Sequence, residues 1–395
     1  MTPSSCDLPL ARQSIMTLTT GPVDAYPEVL RALSRTVLYD YDPAFQHFYE
    51  NVCLKLQKAL ETKTVPVILQ GEPVLGLQAV AASFFNKADI VLNLVSGAYG
   101  DGFGEWVRPH CGELLELRTP FNEVIDVEKV RQMLASRPDI SVVSICHHDT
   151  PSGTINPVAA IGQAVREHGA LFVVDAVSSF AGMDIMPEPC CVDMFVTGPN
   201  KCMGCPPGLT ILGVSERAWK KMHANPTAPR DSVLSILDWE HAWKAGQPFP
   251  YTPSVSEINA LDAGLDRYLE EGPQAVWARH DLTARACRAG IKAAGLEIWA
   301  AHDSIASPTT TVVRLPQTVT DTDVLEVARR RYGVIFSIGR GETKGRVIRI
   351  GHMGPTAQPI YAVAGLAALC GALGELGVDV DAGAACAAAL SVIRQ

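Results

Sequence analysis

The sequence predicts an α/β protein in which a large domain built on a mostly parallel sheet is followed by a smaller carboxy-terminal α+β domain. Two observations carry this. Short β-branched runs alternate with helical periodicity over the first half, the pattern of a parallel sheet covered on both faces. Further on, a long amphipathic helix leads into two runs with strand-like alternation. With 395 residues, 47% of them apolar, the chain can bury a core large enough for two domains.

In order along the chain, Val65-Pro66-Val67-Ile68-Leu69, Ile90-Val91-Leu92-Asn93-Leu94, Ser141-Val142-Val143-Ser144-Ile145 and Leu171-Phe172-Val173-Val174 read as buried strands. Between them, Val127 to Ala135 and Pro157 to His168 have helical periodicity, and Met194-Phe195-Val196 is one more short strand. A boundary falls near Thr252-Pro253-Ser254. Ser254 and Glu257 have the spacing of a capping box, and Ile258, Leu261, Leu265 and Leu269 then form one apolar helix face. Beyond it, Thr309-Thr310-Thr311-Val312-Val313-Arg314 and Arg346-Val347-Ile348-Arg349-Ile350 alternate like half-buried strands, and the alanine-rich tail after Asp381 suits a terminal helix. The expected organisation is an amino-terminal segment (1–20), a large ring-binding and catalytic domain (21–255) and a small domain (256–395).

Composition excludes several classes. A formal charge of -9 gives no basic footprint for a nucleic acid or an anionic membrane. The amino terminus lacks a basic segment followed by a hydrophobic core, and Ala362 to Leu373 is too short to span a bilayer, so a cytoplasmic protein is expected. Eleven cysteines, from Cys6 to Cys386 without repeated spacing, suit reduced thiols. No metal site is expected. Cys202 and Cys205 lack a second pair, and neighbouring residues in His147-His148-Asp149 point apart on an extended chain.

The chemistry rests on two residues. Lys201, in Thr197-Gly198-Pro199-Asn200-Lys201, can form a Schiff base with a pyridine aldehyde. Asp175 follows the strand Leu171 to Val174 and can keep the ring nitrogen protonated, so that the ring accepts electrons from a breaking C–H bond. The small residues of Cys202 to Gly208 allow a backbone to approach such a ligand.

Four segments now give a specific resemblance. Thr20-Gly21-Pro22-Val23, Val174-Asp175-Ala176-Val177-Ser178-Ser179, Thr197 to Gly208 and Arg349-Ile350-Gly351-His352-Met353-Gly354 resemble the class V, fold-type I aminotransferases over nearly the whole chain. Leu38 to Phe45, Leu69 to Gly76 and Cys146 to Thr154 are similar to those members that act on unphosphorylated pyridoxamine. The resemblance implies conversion of pyridoxamine and pyruvate to pyridoxal and L-alanine, in vitamin B6 degradation. It also implies a homo-oligomer, a dimer or tetramer, with active sites at a dimer interface.

Gly71-Glu72-Pro73 departs from the wider family, where this turn resembles Gly-Ser-Gly at a helix start and holds the phosphate of pyridoxal phosphate. Glu72 puts a negative charge there, and Pro73 removes an N–H donor. At about 4 Å and an effective dielectric near 20, each pair of unit charges repels by roughly 4 kcal/mol, against at most about 2 kcal/mol returned by a helix terminus. Phe249 also aligns with a tyrosine that contacts the phosphate in relatives. The vitamer is therefore expected as a substrate that comes and goes, with no tightly bound cofactor.

By resemblance, Tyr99 stacks on the ring, Thr150 hydrogen-bonds its 3-hydroxyl, Arg349 grips the pyruvate carboxylate and Arg340 is a second contact, while Glu72 faces the unphosphorylated end. Lys201 doubles as proton carrier. Two alternatives stay open: a conventional aminotransferase using pyridoxal phosphate and acting on alanine, serine or glyoxylate, or a non-catalytic vitamer-binding protein.

Overall fold

The computed structural model describes residues 15–395; Cys6 and most of the 1–20 segment lie outside the described residues. Its strands are β1 (Met16–Leu18), β2 (Val67–Gln70), β3 (Ile90–Val95), β4 (Glu113–Arg118), β5 (Val142–Cys146), β6 (His148–Asp149), β7 (Thr154–Ile155), β8 (Leu171–Asp175), β9 (Met194–Thr197), β10 (Leu209–Val214), β11 (Thr310–Arg314), β12 (Val334–Ile338) and β13 (Val347–Gly351). A seven-stranded sheet has the order β2-β10-β9-β8-β5-β3-β4. Only β10 runs against its neighbours. This is the mostly parallel α/β sheet that the strand and helix alternation predicts.

Parallel neighbours end together, which is what assembles the site. Gln70, Val95, Cys146, Asp175 and Thr197 close β2, β3, β5, β8 and β9, and the chain turns from each at the same sheet edge. The helix Pro73–Phe84 starts immediately after β2, and the helix Ala98–Val107 starts after β3. The short hairpin β6–β7 follows β5.

A second, four-stranded sheet has the order β1-β12-β13-β11, with β1 parallel to β12 and the other pairs antiparallel. The amino-terminal strand thus completes a sheet otherwise made from residues beyond 309, through the register Met16 to Val334 and Leu18 to Phe336. Leu18, Val313, Phe336, Ile348, Ile350 and Leu366 share one apolar core. The core under the large sheet includes Phe172, Phe195, Ile258, Leu261 and Leu265, so the buried face of the helix Val255–Glu271 packs with the large sheet.

The expected capping box at Ser254 does not form. The Ser254 side chain makes no cap bond; its backbone N–H donates to Gln70 Oε1 at 2.7 Å. Glu257 instead lies against Gly208, where an added Cβ would sit 2.7 Å from its carboxyl carbon. Tertiary partners have displaced the local one. Among the described residues, no helix is long and apolar enough to cross a membrane.

Candidate active site

At the shared strand edge lies a pocket of about 390 Å³ whose walls include Glu72, Tyr99, Asp175, Lys201 and Arg340. Five of the seven residues singled out in the sequence therefore meet in one cavity. Thr150 and Arg349 stand outside this lining set but are tied to it. Arg349 Nη1 donates to the Thr150 hydroxyl at 3.1 Å and to the Thr20 hydroxyl at 2.9 Å, while Nε donates to the Ile338 carbonyl at 2.8 Å. These bonds fix the guanidinium, which also interacts with the Tyr99 side chain. Burial pulls the Arg349 pKa down.

Lys201 Nζ donates to the Thr20 carbonyl at 2.5 Å. Burial first, and the Arg349 charge second, lower its pKa to about 8, so an amine that is ordinarily protonated becomes available as a base near neutrality. Gly21 makes the approach possible. A Cβ there would lie 1.9 Å from Nζ, and its φ of +122° is itself a conformation that side chains disfavour.

Asp175 is buried at the end of β8, and its Oδ1 accepts from the Val177 N–H at 3.0 Å. Burial raises its pKa to about 6, opposed by that hydrogen bond and by the Lys201 charge. A cationic partner in the cavity would stabilise its ionised form further. Cys146 sits directly beside it in the β5–β8 register and also lines the cavity.

Glu72 caps the helix Pro73–Phe84, its Oε2 accepting from the Val74 N–H at 2.9 Å. A free donor of the first turn is thus already used by a carboxylate, and Pro73 has none to offer. Arg340 stands over the Tyr99 ring with its guanidinium carbon 5.4 Å from the centroid. Phe249 packs edge-on to Tyr49 at 5.0 Å, in a cluster with Phe45 and Trp239.

Sequence reasoning missed three contributors. Thr20 joins Lys201 to Arg349; its segment was noticed only as a resemblance. Asn200 lines the cavity with a buried Oδ1 that has no hydrogen-bond partner among the described residues, adjacent in sequence to Lys201. Asp149 holds the backbone of Tyr99 at 2.6 Å. His148 is engaged with the Thr154 carbonyl at 2.9 Å through Nδ1, and Cys202 and Cys205 are buried thiols facing the Ser178 and Ala260 carbonyls.

The class V aminotransferase family model matches residues 114–344. Enzymes of that family depend on pyridoxal phosphate, which corrects one expectation: a bound pyridoxal-type cofactor is to be expected, and the reading that none is tightly held does not stand. The residues fit the ring of such a group, with a buried amine, a buried carboxylate and an aromatic wall around one cavity. The end lined by Glu72 and Pro73 offers a carboxylate in place of free donors.

A pyridoxamine–pyruvate transaminase of Mesorhizobium japonicum is 63% identical over 379 residues, 96% of either chain. The crystal structure of pyridoxamine-pyruvate aminotransferase from Mesorhizobium loti superposes with a TM-score of 0.97 at 62% identity, covering 98% of this chain and 99% of the other. The ureidoglycine-glyoxylate aminotransferase of Bacillus subtilis gives 0.91 at 28% identity over 96% and 98%. With a matching family model, matching relatives along nearly its whole length and a fold-type I architecture, the chain belongs to the class V aminotransferases.

Proposed function

We propose that this aminotransferase moves the amino group of pyridoxamine onto pyruvate, giving pyridoxal and L-alanine, as a step of vitamin B6 degradation. The observation that carries the reading is Glu72-Pro73 at the mouth of the helix Pro73–Phe84, in the same cavity as Lys201 and Asp175. The 63% identical relative bears the name of this activity. A pyridoxal-type ring supplies an aldehyde for an amine and an electron sink for the C–H bond to be broken.

Lys201 provides the amine that anchors the ring and, when free, carries the proton between the ring-side carbon and the α-carbon of alanine. Its pKa of about 8 suits both tasks. Asp175 keeps the ring nitrogen protonated, the pairing lowering the cost of its own buried charge. Tyr99 is the platform for the ring face. Arg349 and Arg340 take the pyruvate carboxylate, and Thr150, besides steadying Arg349, has a hydroxyl proton for the ring's 3-oxygen. Glu72 favours a hydroxymethyl group, which can donate to a carboxylate, over a phosphate, which it repels.

The same reading makes the enzyme a cytoplasmic dimer or tetramer; exposed Val37, Leu38, Tyr39 and Tyr41 form an apolar stretch suited to a subunit contact. The test is a coupled assay of the purified protein with pyridoxamine and pyruvate. Formation of pyridoxal and L-alanine in equal amounts is expected. Transamination of amino acids to glyoxylate without any turnover of pyridoxamine would contradict it.

A further inference from the structure

Asp149 has no place among the roles above. It ends β6, is 1% exposed, and reaches to the first turn of the helix Ala98–Val107. Its Oδ2 accepts from the backbone N–H of Tyr99 at 2.6 Å and of Gly100 at 3.2 Å. The helix has Gly97 at its N-cap, with no side chain to take those donors, so Asp149 caps it from a different strand. The fit is close: a Cβ added at Gly97 would lie 2.1 Å from Asp149 Cγ.

The arrangement is costly. Asp149 Oδ1 is buried with no hydrogen-bond partner among the described residues, and burial raises the carboxyl's pKa to about 7 against the pull of the two N–H groups. What the carboxylate holds is the turn that carries Tyr99 into the cavity wall beneath Arg340. The next residue, Thr150, receives Arg349. One dipeptide therefore touches both the aromatic wall and the arginine.

We propose that Asp149 is a positioning residue for the pyridine ring: by capping the helix Ala98–Val107 from β6, it pins the Tyr99 ring as a platform. This rests on the ring-platform reading of Tyr99. Asp149 acts through that backbone, so its removal weakens vitamer binding more than it weakens the hold on pyruvate.

Equilibrium binding of pyridoxamine, by calorimetry, tests this in Asp149→Ala, Asp149→Asn, Gly97→Ala, Tyr99→Ala and the Asp149→Ala/Tyr99→Ala double variant. Losing the cap should weaken binding about tenfold. Asn, whose amide oxygen can accept from both N–H groups, should restore it to within about threefold. Gly97→Ala should act like Asp149→Ala, because the methyl displaces the carboxylate while the φ of -173° suits alanine. Once Tyr99 is alanine, Asp149→Ala should cost little more. The pyruvate KM should rise less than pyridoxamine affinity falls throughout the Asp149 and Gly97 variants.

Additive losses in the double variant, or equal losses for pyridoxamine and pyruvate, would overturn the proposal. If Asp149→Ala does not fold, Gly97→Ala with and without Tyr99→Ala completes the same cycle. Full pyridoxamine affinity in Tyr99→Ala would overturn the platform reading itself, whereas a weakened Tyr99→Ala beside an unaffected Asp149→Ala would overturn only the positioning role.

Discussion

Lys201 and Arg349 meet on a single threonine: the lysine amine donates to the Thr20 carbonyl at 2.5 Å, and the arginine donates to the Thr20 hydroxyl at 2.9 Å. Two cations are thereby held close together in a buried site. Burial and then the Arg349 charge lower the Lys201 pKa, while burial and the Arg340 charge lower that of Arg349.

Lys201→Ala should abolish transamination while keeping measurable pyridoxamine binding, since Tyr99, Asp175 and Glu72 remain. Steady-state assay and calorimetry read the two parts separately. Near wild-type turnover would contradict the role given to the amine.

The pH dependence follows from the same lysine. A pKa lowered to about 8 means the neutral amine gains as pH rises through that value, so kcat/KM for pyruvate should climb with pH and level off above about 8. Replacing Arg349 removes one of the causes of the lowering and should move this limb to higher pH.

Arg349→Ala should raise the pyruvate KM far more than the pyridoxamine KM. A lost charge-assisted pair costs roughly 1.5 to 3 kcal/mol, about ten- to over one-hundredfold. Arg349→Lys should recover little, because a point charge cannot keep the bonds to Thr20, Thr150 and Ile338 at once. Equal effects on both substrates would indicate a structural role.

Acid should destabilise the fold. Burial holds His147 and His352 at pKa values of about 3 and His148 and His280 at about 4, while an unfolded chain binds those protons near pH 6.5. Asp149 and Asp175, raised to about 7 and about 6, act in the opposite sense because the folded chain binds their protons first. Four imidazoles against two carboxyls leave a net uptake of two protons on unfolding around pH 5. Stability should then fall by on the order of 3 kcal/mol per pH unit. Urea midpoints at pH 7 and pH 5 check this; an unchanged or higher midpoint at pH 5 would contradict it.

The strands legible in the sequence are those buried on both faces. β3, β5, β8 and β9 are mostly apolar runs, as suits parallel strands between two helix layers. The strand β4 escaped because it is an edge, half-exposed and interrupted by Glu113, Glu116 and Arg118. β10 was hidden behind Pro206-Pro207-Gly208, which reads as a loop. Lys201 and Asp175 were legible because their chemistry is local to a motif. Thr20 and Asp149 were not, since each acts on a residue far along the chain, 181 positions from Thr20 to Lys201 and 50 from Tyr99 to Asp149. The Ser254 cap misled for the same reason: Gln70, 184 positions away, takes the backbone donor.

The most direct measurement compares kcat/KM for pyridoxamine and for pyridoxamine 5′-phosphate as amino donors to pyruvate, in the wild type and in a Glu72→Ser/Pro73→Gly variant, at fixed salt and pH, with circular dichroism confirming the fold. The substitutions remove a carboxylate and restore a hydroxyl and a backbone donor. The wild type should favour the unphosphorylated donor, and the variant should narrow that ratio at least about tenfold. A wild type that prefers the phosphorylated donor, or a variant that leaves the ratio unchanged, would contradict the assignment of pyridoxamine through Glu72 and Pro73.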